Sequence, residues 1–81
     1  MAKPSPSYNG TKELVALGRT IKGLRLELGL SQEALAFEAG IDRSYIGGIE
    51  RGEHNLALVN LMKISQTLGV SSSELLNRAK L

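Results

Sequence analysis

The sequence predicts an all-α fold, a compact bundle of five short helices. Three observations predict it. Apolar residues recur at steps of three and four, the spacing of one helix face. No β-type alternation appears, and no proline occurs after Pro6. Gly29, Gly40, Gly52 and Gly69 each follow an apolar stripe, where a helix terminus favours a left-handed residue.

Each element has its own signal. The first helix is expected from about Lys12 to Leu28, with Leu14, Leu17, Ile21, Leu24 and Leu28 as its stripe and Lys12, Arg19 and Lys22 on other faces. Ser31 can cap a second helix from about Gln32 to Ala39, and Asp42 a third from about Arg43 to Arg51. A fourth is expected over Leu58 to Leu68, with Leu58, Leu61, Ile64, Ser65 and Leu68 inward. The fifth opens on Ser71-Ser72-Ser73-Glu74 and carries Leu75, Leu76 and Leu81. Ser71 and Glu74 have capping-box spacing, in which each side chain can accept the other's backbone N–H. Residues 1–10, with two prolines, two serines and a glycine, have little to bury and read as a tail; residues 11–81 read as the domain.

Composition removes several function classes. The chain has 81 residues and no cysteine, so disulfides and thiolate metal sites are excluded. The single histidine, His54, has no partner with metal-ligand spacing, and no metal or cofactor is expected. There is no nucleophile–base pair and no glycine-rich phosphate loop, so the chain is not read as an enzyme. No apolar run approaches the roughly 20 residues of a membrane span, and no secretory signal is evident. A soluble, cytoplasmic protein is the expectation. The formal net charge is +2. No strongly basic stripe is present, so charge alone leaves function open.

The informative segment is Gln32 to Arg51, two helices separated by Gly40-Ile41-Asp42. Counting Gln32 as position one, the small Ala36 stands at position five, where a second helix crosses closely. Gly40 stands at nine, where the chain must turn sharply. Leu35, Ala39, Ile41, Ile46 and Ile49 stand at four, eight, ten, fifteen and eighteen, filling the wedge between the pair and the first helix. This is the helix-turn-helix pattern.

The same residues carry a family resemblance. Gly29-Leu30-Ser31-Gln32-Glu33-Ala34-Leu35-Ala36, then Gly40 to Ile46 and Ile49-Glu50-Arg51-Gly52, resemble the Cro/C1-type, lambda-repressor-like (XRE) DNA-binding domain. Asp42 to Asn55 look most like controller proteins of restriction–modification systems, although stand-alone repressors share the pattern. The resemblance covers residues 12–78. It implies a transcriptional regulator that binds a palindromic operator in double-stranded DNA as a homodimer, with no small-molecule ligand. The competing class is a protein-interaction module on the same fold, such as an antitoxin, for which only the ten-residue tail offers a toxin-binding extension.

Within the third helix, Ile46 and Ile49 face inward, which leaves Arg43, Ser44, Gly47, Gly48 and Arg51 on other faces. Arg43 stands at the helix start, where a guanidinium can donate two hydrogen bonds to guanine O6 and N7. Ser44 can meet a base edge or a phosphate. Tyr45 can stack on nucleotides, bond a phosphate or pack over the second helix. Two successive glycines weaken a helix, by about 1 kcal/mol each relative to alanine; a backbone that closely approaches DNA would account for them, as would drift at an exposed site. Gln32 lies at a helix N-terminus, whose N–H groups favour phosphate, and the resemblance implies a phosphate contact there. It also implies phosphate contacts at His54 and Asn55. Related controllers often carry arginine where His54 stands, and this chain departs from them there. For the acidic Glu50, the resemblance implies an ion pair with Arg25. Val59, Met62, Leu76 and Leu81 are the candidate dimer surface, and Phe37 is an apolar residue off the core stripe.

Overall fold

The computed structural model describes residues 10–81. Apart from Gly10, the expected tail lies outside the described residues. Five α-helices follow in order: α1 Lys12–Glu27, α2 Gln32–Ala39, α3 Arg43–Glu50, α4 Leu58–Leu68 and α5 Ser72–Arg78. Four open on a side-chain cap. The hydroxyls of Thr11, Ser31 and Ser71 accept the N–H of Leu14, Ala34 and Glu74, and the Asp42 carboxylate accepts that of Ser44. Only α4, which begins after Ala57, has no such bond.

The core draws on every helix. Ile21, Leu35, Ile46, Ile64 and Leu75, one from each helix, are all 0% exposed. Around them pack Leu17, Leu24, Ala36, Ile49, Leu61, Leu68 and Ala79. In this arrangement α3 packs on both α1 and α2, α4 on α2 and α5, and α5 closes back on α1. The C-terminal end of α3 therefore sits against α1, with its opening turn left outward. Among the described residues no helix is long and apolar enough to cross a membrane.

Two expected core positions are corrected. Leu28 is 53% exposed and Leu58 67% exposed. Leu28 is the residue after the last turn of α1, and Gly29 at φ 71° swings the chain away before the stripe can continue. Leu58 is the first residue of α4, a turn short of where that helix meets its neighbours. Leu81, placed on the fifth helix, lies beyond it and is exposed. The reciprocal half of the Ser71–Glu74 box is also absent: the Glu74 carboxylate instead accepts two hydrogen bonds from Arg78, one turn on, at 2.8 and 3.2 Å.

Candidate nucleic-acid interface

The turn between α2 and α3 is set by one residue. Gly40 ends α2 at φ 70°, ψ 37°, a conformation with a steric cost for any residue bearing a Cβ. Its N–H donates to the Phe37 carbonyl, and the Ile41 N–H reaches back to that of Ala36 at 2.9 Å. The chain thus turns within the three residues Gly40, Ile41 and Asp42, the last of which caps α3. Ser44 adds a hydroxyl hydrogen bond to the same carboxylate. That bond, followed by the Ser44 N–H, holds the Asp42 carboxyl below the usual range for Asp.

Ile46 to Glu50 are all buried, so only the opening turn of α3 faces outward. Arg43 and Ser44 are exposed there. Among the described residues no carboxylate forms a salt bridge with Arg43. Tyr45 is half-buried against the core and meets His54 with ring centroids 4.7 Å apart. Asn55 is exposed. Phe37, on α2, is 88% exposed.

Beneath α3 lies a polar network. Arg25 Nε donates to Glu50 Oε2 at 2.7 Å, and Nη2 to Oε1 at 3.0 Å. Arg25 Nη1 donates to the Leu30 carbonyl at 2.9 Å. Gln32 Nε2 donates to Glu50 Oε1 at 3.0 Å. Both charged side chains are buried, and hydrogen bonding to Glu50 lifts the Arg25 pKa against the opposing pull of desolvation. Glu50 is thereby accounted for. Its carboxylate ties α1, α2 and α3 together at one point, and Gln32 directs one amide hydrogen inward.

Gly47 and Gly48 are not surface positions; both are buried. A Cβ on Gly48 would lie 2.3 Å from His54 Nε2, so the imidazole occupies that face of the helix. A Cβ on Gly47 would lie 3.2 Å from Arg51 Nη1 and 3.6 Å from the Gln32 carboxamide oxygen. Gly48 is therefore accounted for by His54, whereas at Gly47 a Cβ would meet only the flexible end of the exposed Arg51. Arg51 in turn is held by Glu53, with Nε–Oε2 2.9 Å and Nη2–Oε1 3.2 Å. Sequence reasoning missed this pair. It also missed Gly18, where a Cβ would lie 2.4 Å from the Ile49 carbonyl oxygen, so that α1 and α3 cross backbone to backbone. The only available signal was a glycine in mid-helix.

A cap-to-cap helix pair with a left-handed glycine turn and one exposed polar face defines a known class. A family model described as Helix-turn-helix matches residues 21–75, more than half of the chain. The chain belongs to the helix-turn-helix family. It is of the Cro/C1 type, and its relatives include restriction–modification controller proteins. Control protein C.BamHI of Bacillus amyloliquefaciens is 46% identical over 61 residues, 74% of this chain and 75% of that protein. The crystal structure of the controller protein C.AhdI from Aeromonas hydrophila is 48% identical with a TM-score of 0.78, over 80% of this chain and 98% of that one. The biofilm master regulator SinR, solved in complex with DNA, is 41% identical with a TM-score of 0.70, over 74% of this chain and 97% of that one.

Proposed function

We propose that this helix-turn-helix chain is a sequence-specific transcriptional regulator that binds a palindromic operator in double-stranded DNA as a homodimer. The specific reading is a controller protein of a restriction–modification system, acting in the cytoplasm. The observation that carries the proposal is the opening turn of α3. Arg43 stands there exposed and, among the described residues, in no salt bridge, on a helix whose remaining turns are buried. The similar SinR, solved in complex with DNA, supports DNA binding by this fold.

Residue roles follow from chemistry. Arg43 reads a base edge, guanine being the best match for a bidentate guanidinium. Ser44 and Tyr45 line the same face. Gln32 and Arg51 contact phosphate, which positions the domain without specifying sequence. The loop carrying His54 and Asn55 follows the sugar–phosphate backbone. Gly47 and Gly48 let Arg51, Gln32 and His54 lie close on the α3 backbone.

One recognition helix reads too few base pairs to select a genomic site, so two copies are required. Val59, Met62 and Leu81 are exposed apolar residues, and Leu76 is partly buried. They lie on α4, on α5 and just beyond it, and α4 packs on α2 and α5 with its remaining face open. Burying that face against its symmetry mate forms an isologous dimer. Sedimentation of the free protein at micromolar concentration, and with a duplex carrying its site, tests this reading. Self-association and two copies per site are expected. A strict monomer that occupies its site singly refutes the dimer, and equal affinity for every duplex refutes the regulator.

A further inference from the structure

An acidic residue beside a DNA-contacting face poses an electrostatic problem. Glu53 follows α3 by three residues, and its side chain is about as exposed as that of Arg51, at 54% against 61%. Simple charge counting makes it a repulsive group whose removal tightens binding. The geometry assigns it a different role. Both of its carboxylate oxygens are engaged by Arg51, through Nε at 2.9 Å and Nη2 at 3.2 Å. This pairing holds the Glu53 carboxyl below its usual range, chiefly through the hydrogen bonds from Arg51.

The bond takes the side edge of the guanidinium and leaves the end edge open. Of five guanidinium hydrogens, two go to Glu53, and three remain on Nη1 and Nη2. Nη1 is directed back over α3, 3.2 Å from where a Gly47 Cβ would stand. The Gln32 carboxamide lies over the same point, its oxygen at 3.6 Å and nitrogen at 3.8 Å. Gln32 is itself fixed, because its nitrogen donates to the buried Glu50. A second hydrogen remains on that nitrogen. The Gln32 carboxamide from the start of α2, its oxygen slightly nearer than its nitrogen, and the Arg51 guanidinium from the end of α3 thus meet over a residue with no side chain.

We propose that Glu53 is a positioning residue for DNA binding: it holds Arg51 over Gly47 so that Arg51 and Gln32 together seat one backbone phosphate. This rests on the DNA-binding reading above. The carboxylate acts through Arg51 and does not itself touch DNA. Its charge is satisfied within the chain, so it need not leave when phosphate arrives. Gly47 leaves the space in which Arg51 Nη1 and the Gln32 carboxamide approach the helix.

The test is a thermodynamic cycle on DNA affinity with a salt series. The wild type, Glu53→Gln, Arg51→Ala and the double variant are titrated against a fluorescent duplex bearing a selected site and against a scrambled duplex. Arg51→Ala should weaken binding to both and reduce the salt slope by about one phosphate's worth, roughly 0.9. Glu53→Gln should weaken both duplexes alike, by about three- to tenfold, with the slope falling the same way. In the Arg51→Ala background the same substitution should leave affinity unchanged or raise it. Circular-dichroism melts of each variant separate a folding defect from a binding one, and a fold-level effect leaves the salt slope where it was. Tighter binding by Glu53→Gln alone, the same loss in both backgrounds, or no effect of Arg51→Ala overturns the proposal. Failure of the wild type to distinguish the two duplexes overturns the function reading instead.

Discussion

Two glycines on α1 make the packing account testable by a single chemical change with opposite outcomes. Gly18 and Gly23 both lie within α1, and neither has a positive φ. Replacing either with alanine adds one methyl group and gains about 1 kcal/mol of helix propensity. At Gly23 nothing stands within 4 Å of the added carbon, so that gain is kept. At Gly18 the carbon would meet the Ile49 oxygen at 2.4 Å, the Glu50 oxygen at 2.6 Å and the Glu50 carbonyl carbon at 2.8 Å. These are backbone atoms, with no rotamer to escape by. Restoring ordinary contact near 3.5 Å requires α1 to withdraw from α3 by about 1 Å. That movement loosens the α1–α3 seam that also holds Arg25 to Glu50. Overpacking of this kind costs about 1–3 kcal/mol or more. With α1–α3 withdrawal added and propensity subtracted, Gly18→Ala should destabilise by about 2 kcal/mol. For a domain of this size each kcal/mol moves Tm by about 4–8 °C. Thermal melts followed by circular dichroism should show Gly23→Ala melting about 4–8 °C above the wild type and Gly18→Ala at least 8 °C below it. A Gly18→Ala variant that melts at or above the wild type refutes the backbone-to-backbone crossing.

Two further outcomes follow from the polar contacts. Arg25→Met strands the buried Glu50 carboxylate and should cost about 3–5 kcal/mol in urea unfolding, whereas adding Glu50→Gln should recover part of it; strictly additive losses would mean that the pair is not coupled. Asp42 has a lowered folded-state pKa, set first by the Ser44 hydroxyl. Its stabilisation is therefore fully present above the ordinary carboxylate range and is lost as pH falls through the lowered value. The stability gap between wild type and Asp42→Ala should be widest near neutrality and should close on acidification, and a gap independent of pH contradicts the charged cap.

Local signals carried most of the fold. The bounds of α2 and α4 follow from the residues around them, because Ser31 and Gly40 bracket one and Gly69 stops the other. Where a pattern was carried to the very end of a helix it failed: Leu28 continues the α1 stripe numerically, yet it is the C-cap, beyond the last turn that packs on the core, and is exposed. Glu74 shows competition between two local options, with the i,i+4 arginine taking the carboxylate from the cap. The spacing of Ala36, Gly40 and Ile46 was enough to set α3 against α2, because those positions are fixed by a three-residue turn. Contacts across the loop after α3 were not legible. His54 over Gly48 and Glu53 on Arg51 depend on the path of residues 52–57, which no periodicity encodes. Nor was the inward half of Gln32, since its partner is 18 residues away on another helix.

The central claim is that two copies of α3 read base sequence through their opening turns. Selecting bound duplexes from a random DNA pool, with wild type and Arg43→Ala in parallel, measures it directly. The wild type should enrich an inverted repeat whose half-sites lie about one helical turn, roughly 34 Å, apart. Arg43→Ala should lose preference at one base pair in each half-site and keep the rest of the repeat, with affinity down by about 1–3 kcal/mol per contact. An unenriched wild-type pool, or the same consensus from both proteins, would contradict the account.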